Sequence, residues 1–227
     1  MKHFFLLLIL TSYCSLAQTR VKRIISKTAP STQHQELNNK DINRLNLESK
    51  IVGKAALPIL YRFKNKQLIL NGAGLRELLW VDIYACGLYM NKPNSNAKDI
   101  IEKDEAMIVR MDIISKAVSH DKMVKAFRKG FIDGNDKNII TKYGSEIDEF
   151  LKHIEGLVLK IGDKIDVVYE PNLGVSLYIN YEKLGTVGDL GFKRAIFNIW
   201  LSKNPVDKSL RGELLEGATV YLAADNR

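Results

Sequence analysis

The chain reads as an α+β protein, an antiparallel sheet with helices packed on one side of it. Three observations lead there. Its elements run strands, helix, strand, helices, hairpin, helices, an order that pairs neighbouring strands and segregates the helices rather than alternating them one for one. Short β-branched and aromatic runs are bounded by Gly, Pro, Asn and Lys, whereas later stretches carry apolar residues at helical spacing. No repeat of 20–50 residues is visible.

The first 50 residues stand apart. Lys2 precedes the unbroken apolar run Phe4–Leu10, and Ser15-Leu16-Ala17 supplies the small residues that a signal peptidase requires. This predicts a signal peptide over 1–17, cut after Ala17, and a periplasmic or secreted protein. The run is far shorter than the ~20 residues of a spanning helix, and Tyr13 before Cys14 is too large for lipoprotein processing. Residues 18–50 lack a sustained period and read as a flexible basic arm, with one short helix near Lys40–Leu47. The chain carries a net charge of +8, and residues 18–53 hold seven basic against three acidic side chains, so the domain at 51–227 is only mildly basic. Lys and Arg do not cluster with aromatic platforms, and no nucleic-acid partner is expected. The arm offers a contact with an anionic membrane surface. Past the leader Cys86 is the single cysteine, so no internal disulfide can form; a buried structural thiol is the expectation.

Within 51–227, Ile51–Pro58 and Ile59–Phe63 read as strands, and Lys64-Asn65-Lys66 as a turn into a strand at Gln67–Leu70. After Lys92-Pro93-Asn94, Ser95 is placed to cap a short helix with Ala97, Ile100 and Ile101 on one side. Ala106–Ile113 reads as a strand buried on both faces. Ser119 caps a helix whose stripe is Met123, Val124, Phe127 and Phe131, closed by Gly134. Ser145 starts another, with Ile147, Phe150, Leu151 and Ile154 inward and Gly156 after it. Asp163–Tyr169 and Val175–Asn180 form a hairpin around Pro171–Gly174, and Tyr181–Gly185 turns again. Leu190–Ser202 is the clearest helix, with Phe192, Ala195, Ile196, Ile199 and Trp200 at helical spacing. Asp207 caps a last helix bearing Leu210, Leu214 and Leu215, and Thr219–Ala223 reads as a short final strand.

The richest stretch is Leu68–Met90, LILNGAGLRELLWVDIYACGLYM. Asn71-Gly72-Ala73-Gly74 reads as a sharp corner, because Asn and Gly tolerate positive φ. A second strand then runs from Glu77 to Met90. Alternation places Arg76, Leu78, Trp80, Asp82, Tyr84, Cys86 and Leu88 on one face and an almost wholly apolar set on the other. The mixed face has the character of a ligand pocket. A guanidinium in apolar surroundings needs a partner. Its fork suits a carboxylate, and a phenol can add one hydrogen bond. Arg76 and Tyr84 are therefore the candidate head-group binders, with Leu78, Trp80 and Leu88 lining the tail.

GAGLR followed by VDIYACGLYM resembles the chalcone isomerase-like family, in its bacterial branch, and the likeness in element order extends over roughly 51–218. It implies an open-faced sandwich. Arg76 matches the arginine with which plant chalcone isomerases position a phenolate, and Tyr84 falls at the family's threonine. The family's tyrosine and asparagine, on the helix matching Ser119–Phe131, fall at Ser119 and Ala126. A last-helix polar contact would fall near Asn198–Ile199. The arginine–tyrosine pair instead is similar to that of the fatty-acid-binding members of the fold. The resemblance thus implies a non-catalytic binder of a small apolar carboxylate such as a fatty acid. One alternative is an isomerase of the intramolecular lyase type, in which Arg76 would stabilise an oxyanion and Tyr84 donate a proton; another is an envelope interaction protein with no small ligand, acting through the basic arm, in which the pocket is collapsed and an internal carboxylate fully pairs Arg76. The four histidines, His3, His34, His120 and His153, show no ligand spacing. Neither a metal nor a cofactor is expected.

Overall fold

A computed structural model of the chain describes residues 48–217. The expected leader, most of the arm with its helix near Lys40–Leu47, and the strand at Thr219–Ala223 lie outside the described residues. A hairpin of β1 (Ser49–Val52) and β2 (Ala55–Pro58) comes first. The single strand expected over Ile51–Pro58 is divided because Gly53 turns the chain at φ +57°, a conformation open to glycine.

Seven further strands form one sheet: β3 (Leu60–Phe63), β4 (Lys66–Leu78), β5 (Val81–Met90), β6 (Met107–Ile113), β7 (Lys164–Glu170), β8 (Gly174–Ile179) and β9 (Glu182–Val187). Their order in space is their order in the chain, and every neighbouring pair is antiparallel. Six helices are described: α1 (Ala97–Glu102), α2 (His120–Gly134), α3 (Lys137–Lys142), α4 (Gly144–Lys152), α5 (Leu190–Leu201) and α6 (Lys208–Leu214). Their apolar faces pack on Cys86, Leu88, Val109, Met111, Val167 and Leu177, which alternate along the strands and so share one side of the sheet. Phe127, Phe131, Phe150, Phe192 and Trp200 fill the space between sheet and helices.

The expected elements hold where a periodic stripe and a cap coincide. Ser119 caps α2, Asp189 caps α5 through Phe192 N, and Asp207 caps α6 through Ser209 N and Leu210 N. β6 is buried on both faces. Elsewhere the details shift. Asn96, not Ser95, caps α1, because its side chain accepts from both Lys98 N and Asp99 N. The short helix α3 fills a stretch assigned no element. The polar run taken as a turn at Tyr181–Gly185 is largely the edge strand β9; edge strands tolerate such composition because one side is solvated. The reversal lies at Asn180 and Tyr181, both with positive φ.

The largest correction concerns the central stretch. The chain does not turn at Asn71–Gly74. It continues through all 13 residues of β4 and reverses at Leu79-Trp80, so the strand expected from Glu77 to Met90 is two arms of a hairpin. Gly72 and Gly74 serve close approach rather than positive φ. A methyl at Gly72 would strike the carbonyl oxygen of Glu213, and one at Gly74 would strike the Glu213 carboxylate. The two missing side chains are the seat of α6. Asn71 is the bulged residue, where the register shifts between Leu70 and Gly72. It is fully buried, and its amide donates to Leu214 O at 2.8 Å and to Asn94 O at 2.9 Å, tying α6 and the end of β5 to the bulge.

Candidate functional site

Arg76 lies on β4 and Tyr84 on β5, and they are direct partners across the ladder. Residues opposite each other in a ladder share a face, so the two share a face although they do not share a strand. That face is the helix side, where Gly74 pairs with Cys86 and Gly72 with Leu88. Tyr84 is buried, and Trp200 of α5 donates its indole N–H to the Tyr84 hydroxyl at 3.3 Å. Burial pushes the Tyr84 hydroxyl well above its ordinary range, with Cys86 adding to the rise and Arg76 opposing it. It is therefore a protonated phenol at any physiological pH, a donor and not a base.

The Arg76 guanidinium reaches Asp207 Oδ2 at 3.2 Å and also donates to the carbonyl of Glu77. Asp207 thus has two duties. Its Oδ1 caps α6, and its Oδ2 neutralises Arg76. The pair is only partly exposed.

The remaining expected lining residues separate. Leu88 is wholly buried in the core beneath the helices. Leu78 and Trp80 sit at the β4–β5 tip, 53% and 97% exposed. One continuous strand would have aligned all five residues; the reversal at Leu79-Trp80 removes Trp80 from the face entirely. Arg76, Tyr84 and the unanticipated Trp200 and Asp207 are what the fold gathers. Trp200 was legible as a core residue of α5 and Asp207 as a cap, but neither role signals an approach to β4.

Beside this group lies a cleft of about 700 Å³ between β1, β4 and α6. β3 pairs with β4 only over Lys66–Ile69, which leaves the later part of β4 facing this cleft. Val52, Ala73, Leu75, Leu79 and Trp80 supply apolar walls, and Lys50, Glu77, Asp207, Glu213 and Glu216 the polar ones. Lys50 reaches Glu216 at 3.1 Å. Burial raises the Glu213 carboxyl above its usual range, against the pull of Lys50 and of a hydrogen bond from the Leu75 amide. Asp207 belongs to both the cleft and the Arg76 pair and joins the two.

The opposite face of the sheet holds a second polar assembly that the sequence did not announce. Arg110, 2% exposed, donates to Asp112 Oδ1 at 2.8 Å and lies between the rings of Tyr61 and Tyr181. Asp166 accepts from the Tyr61 hydroxyl at 2.6 Å. Asp112, the Tyr181 hydroxyl and two rings hold this guanidinium, with the charge of Asp166 facing it across the ladder. Among the described residues no three His, Cys, Asp or Glu side chains gather as metal ligands would.

The positions proposed to match catalytic ones are placed as follows. Ser119 accepts from Lys122 N as the α2 cap, and Ala126 faces solvent. The inner face of α2 is Met123, Phe127, Gly130 and Phe131. Asn198 donates to Asn135 at 2.9 Å, and Ile199 is buried.

Residues 49–216 match the family model described as chalcone isomerase-like. Fatty-acid-binding protein 1 of Arabidopsis thaliana is 25% identical over 188 residues, a match covering 69% of this chain and 66% of that protein. The chain thus spans just under two thirds of that relative's length. A crystal structure of an Arabidopsis thaliana fatty-acid binding protein aligns with a TM-score of 0.61 at 22% identity, over 78% of this chain and 100% of the other; that likeness is one of fold.

Proposed function

The chain belongs to the chalcone isomerase-like family, and from that premise we propose that it is a non-catalytic binder of a small apolar carboxylate such as a fatty acid. One observation carries the reading: Arg76 faces Tyr84 across the β4–β5 ladder, a cation beside a protonated phenol at the margin of an apolar core. A carboxylate arriving there would replace Asp207 as the counter-ion of Arg76 and accept from the same fork. Of this group Asp207 lines the adjoining cleft and Arg76 and Tyr84 do not; displacing Asp207 would open the way for a tail along the cleft's apolar wall, and the cleft volume falls in the range of small-molecule sites, roughly 300–1,000 Å³. The fatty-acid binding named for the Arabidopsis relative supports the same ligand class.

Two features weigh against the isomerase alternative. General acid catalysis is most effective when the pKa lies near the working pH, and burial moves Tyr84 away from it. Ring closure also needs several oriented polar groups, and α2 turns only apolar side chains and a glycine toward the core. Export to the periplasm or beyond, from the leader at 1–17, belongs to the same proposal.

The test is organic extraction and mass spectrometry of the purified protein, wild type against Arg76→Ala. Wild type is expected to carry fatty acid and the variant several-fold less. Equal content in both removes Arg76 from the site.

A further inference from the structure

The reversal between β4 and β5 is a two-residue turn in which both central residues, Leu79 and Trp80, have positive φ, 50° and 67°. Turns of this kind select Asn-Gly, because Gly has no Cβ, Asn can hydrogen-bond locally, and other side chains are strained there. This chain instead puts two large apolar residues at the tip and leaves them 83% and 97% exposed, between Leu78 and Val81, which are themselves exposed. Backbone preference and solvation both oppose the choice. The comparable turn at Asn180-Tyr181 has a local reason, since Tyr181 folds back over Arg110 and accepts a hydrogen bond from it. Trp80 folds back onto nothing that hides it.

We propose that the tip Leu78-Leu79-Trp80-Val81 inserts into the interfacial layer of a zwitterionic lipid bilayer, with Trp80 as its anchor. The dimensions suit this occupant. Two residues at each strand end, at ~3.3 Å each, reach ~7 Å, which matches the ~5–10 Å depth of interfacial segments, and indole is a side chain that favours this layer. A protein partner fits less well. A stable interface covers about 800 Å² per partner, and four side chains on a narrow ribbon fall short of that area. Charge selects among lipid surfaces. Immediately behind the tip Glu77 and Asp82 face each other across the ladder, both exposed, a collar that disfavours an anionic surface. Leu79 and Trp80 also line the cleft, so insertion would bring the cleft to the lipid. The inference does not rest on the fatty-acid reading, since a tip can bind a bilayer whether or not the cleft holds a ligand.

The chain contains two tryptophans, and Trp200 is buried, which leaves Trp80 as the reporter. The full chain as isolated from the cells that make it is mixed with phosphatidylcholine vesicles, with and without brominated acyl chains. A blue shift of Trp80 emission and its quenching by the brominated lipid are expected. The double variant L79N/W80G installs the preferred turn and is expected to match or exceed wild type in urea midpoint while its partition into these vesicles, measured for both proteins by vesicle co-sedimentation, drops at least tenfold. The proposal is overturned if Trp80 is neither shifted nor quenched, or if the double variant partitions as wild type does. It is equally overturned if sedimentation shows that the tip instead joins two copies of the chain and no vesicle binding occurs.

Discussion

Asp207 Oδ2 lies 3.2 Å from the guanidinium of Arg76, while its other oxygen caps the last described helix. The candidate head-group site is thus already filled by an internal carboxylate, and a ligand must compete with it.

Competition can be relieved without breaking the helix. Asp207→Asn keeps an oxygen for the cap, since Asn and Asp cap about equally well, but removes the charge facing Arg76. Fatty-acid affinity is expected to rise about two- to fivefold, the worth of a partly exposed ion pair of ~0.5–1 kcal/mol. Displacement of a fluorescent fatty-acid analogue measures it. Weaker binding in this variant would show that Asp207 contacts the ligand and does not rival it.

The seat of α6 can be tested at its two glycines. Gly72→Ala sets a methyl against the Glu213 backbone carbonyl, which moves only if the helix moves; Gly74→Ala meets the Glu213 side chain, whose carboxylate can swing away and whose Cβ, at 2.9 Å, must give slightly. Gly72→Ala is expected to cost about 1–3 kcal/mol, the usual range for overpacking, and Gly74→Ala distinctly less. Urea titrations of both variants check the order, and a reversed order would show that α6 is not held as described.

Acid sensitivity should appear at the start of α5. The Asp189 carboxyl is held below its usual range, first by the Phe192 amide, with the Gly191 amide and the Tyr143 hydroxyl adding to it and burial opposing. A carboxyl depressed by folding contributes its stability above the unfolded value, ~3.9, and loses it as pH falls through the lower folded value. Asp189→Ala should therefore cost ~1 kcal/mol at pH 7, with the gap to wild type closing below pH 4. Thermal melts of both proteins from pH 7 to pH 2.5 provide the check; a gap independent of pH would assign the loss to packing.

Much of the fold was legible because caps and periodic stripes agree in this chain. Ser119 with the stripe through Phe127 and Phe131, and Asp207 with Leu210 and Leu214, each pair a start signal with a burial pattern. The hairpin at β4–β5 was not legible, for a physical reason. Asn-Gly normally marks a turn, and here it marks a bulge and a helix seat, while the true turn is written Leu-Trp, residues that ordinarily continue a strand. The shared face of Arg76 and Tyr84 emerges all the same. Gly74 pairs with Cys86 and Arg76 with Tyr84, so alternation carries both to the helix side whichever strand bears them. Trp80 has no such protection, and its expected place in a tail pocket fails with the strand that implied it. Arg110 was hidden for another reason: within a strand buried on both faces, alternation cannot reveal which side chain meets Asp112 on its own strand and faces Asp166 on the next.

In the seven-stranded sheet each strand's neighbours in space are its neighbours in sequence. Such a meander can be assembled progressively, each new ribbon zipping onto the last, with no strand needing to thread between two already joined. The closing pieces come late. Phe192, Ile196 and Trp200 on α5 and Leu210 and Leu214 on α6 belong to the core yet follow all seven strands of this sheet, so a nascent chain holding the whole sheet would still lack its lid. Stalling synthesis between β9 and α5 should leave an assembled ladder with a greasy, unclosed surface, and that is the moment at which this protein most needs a chaperone.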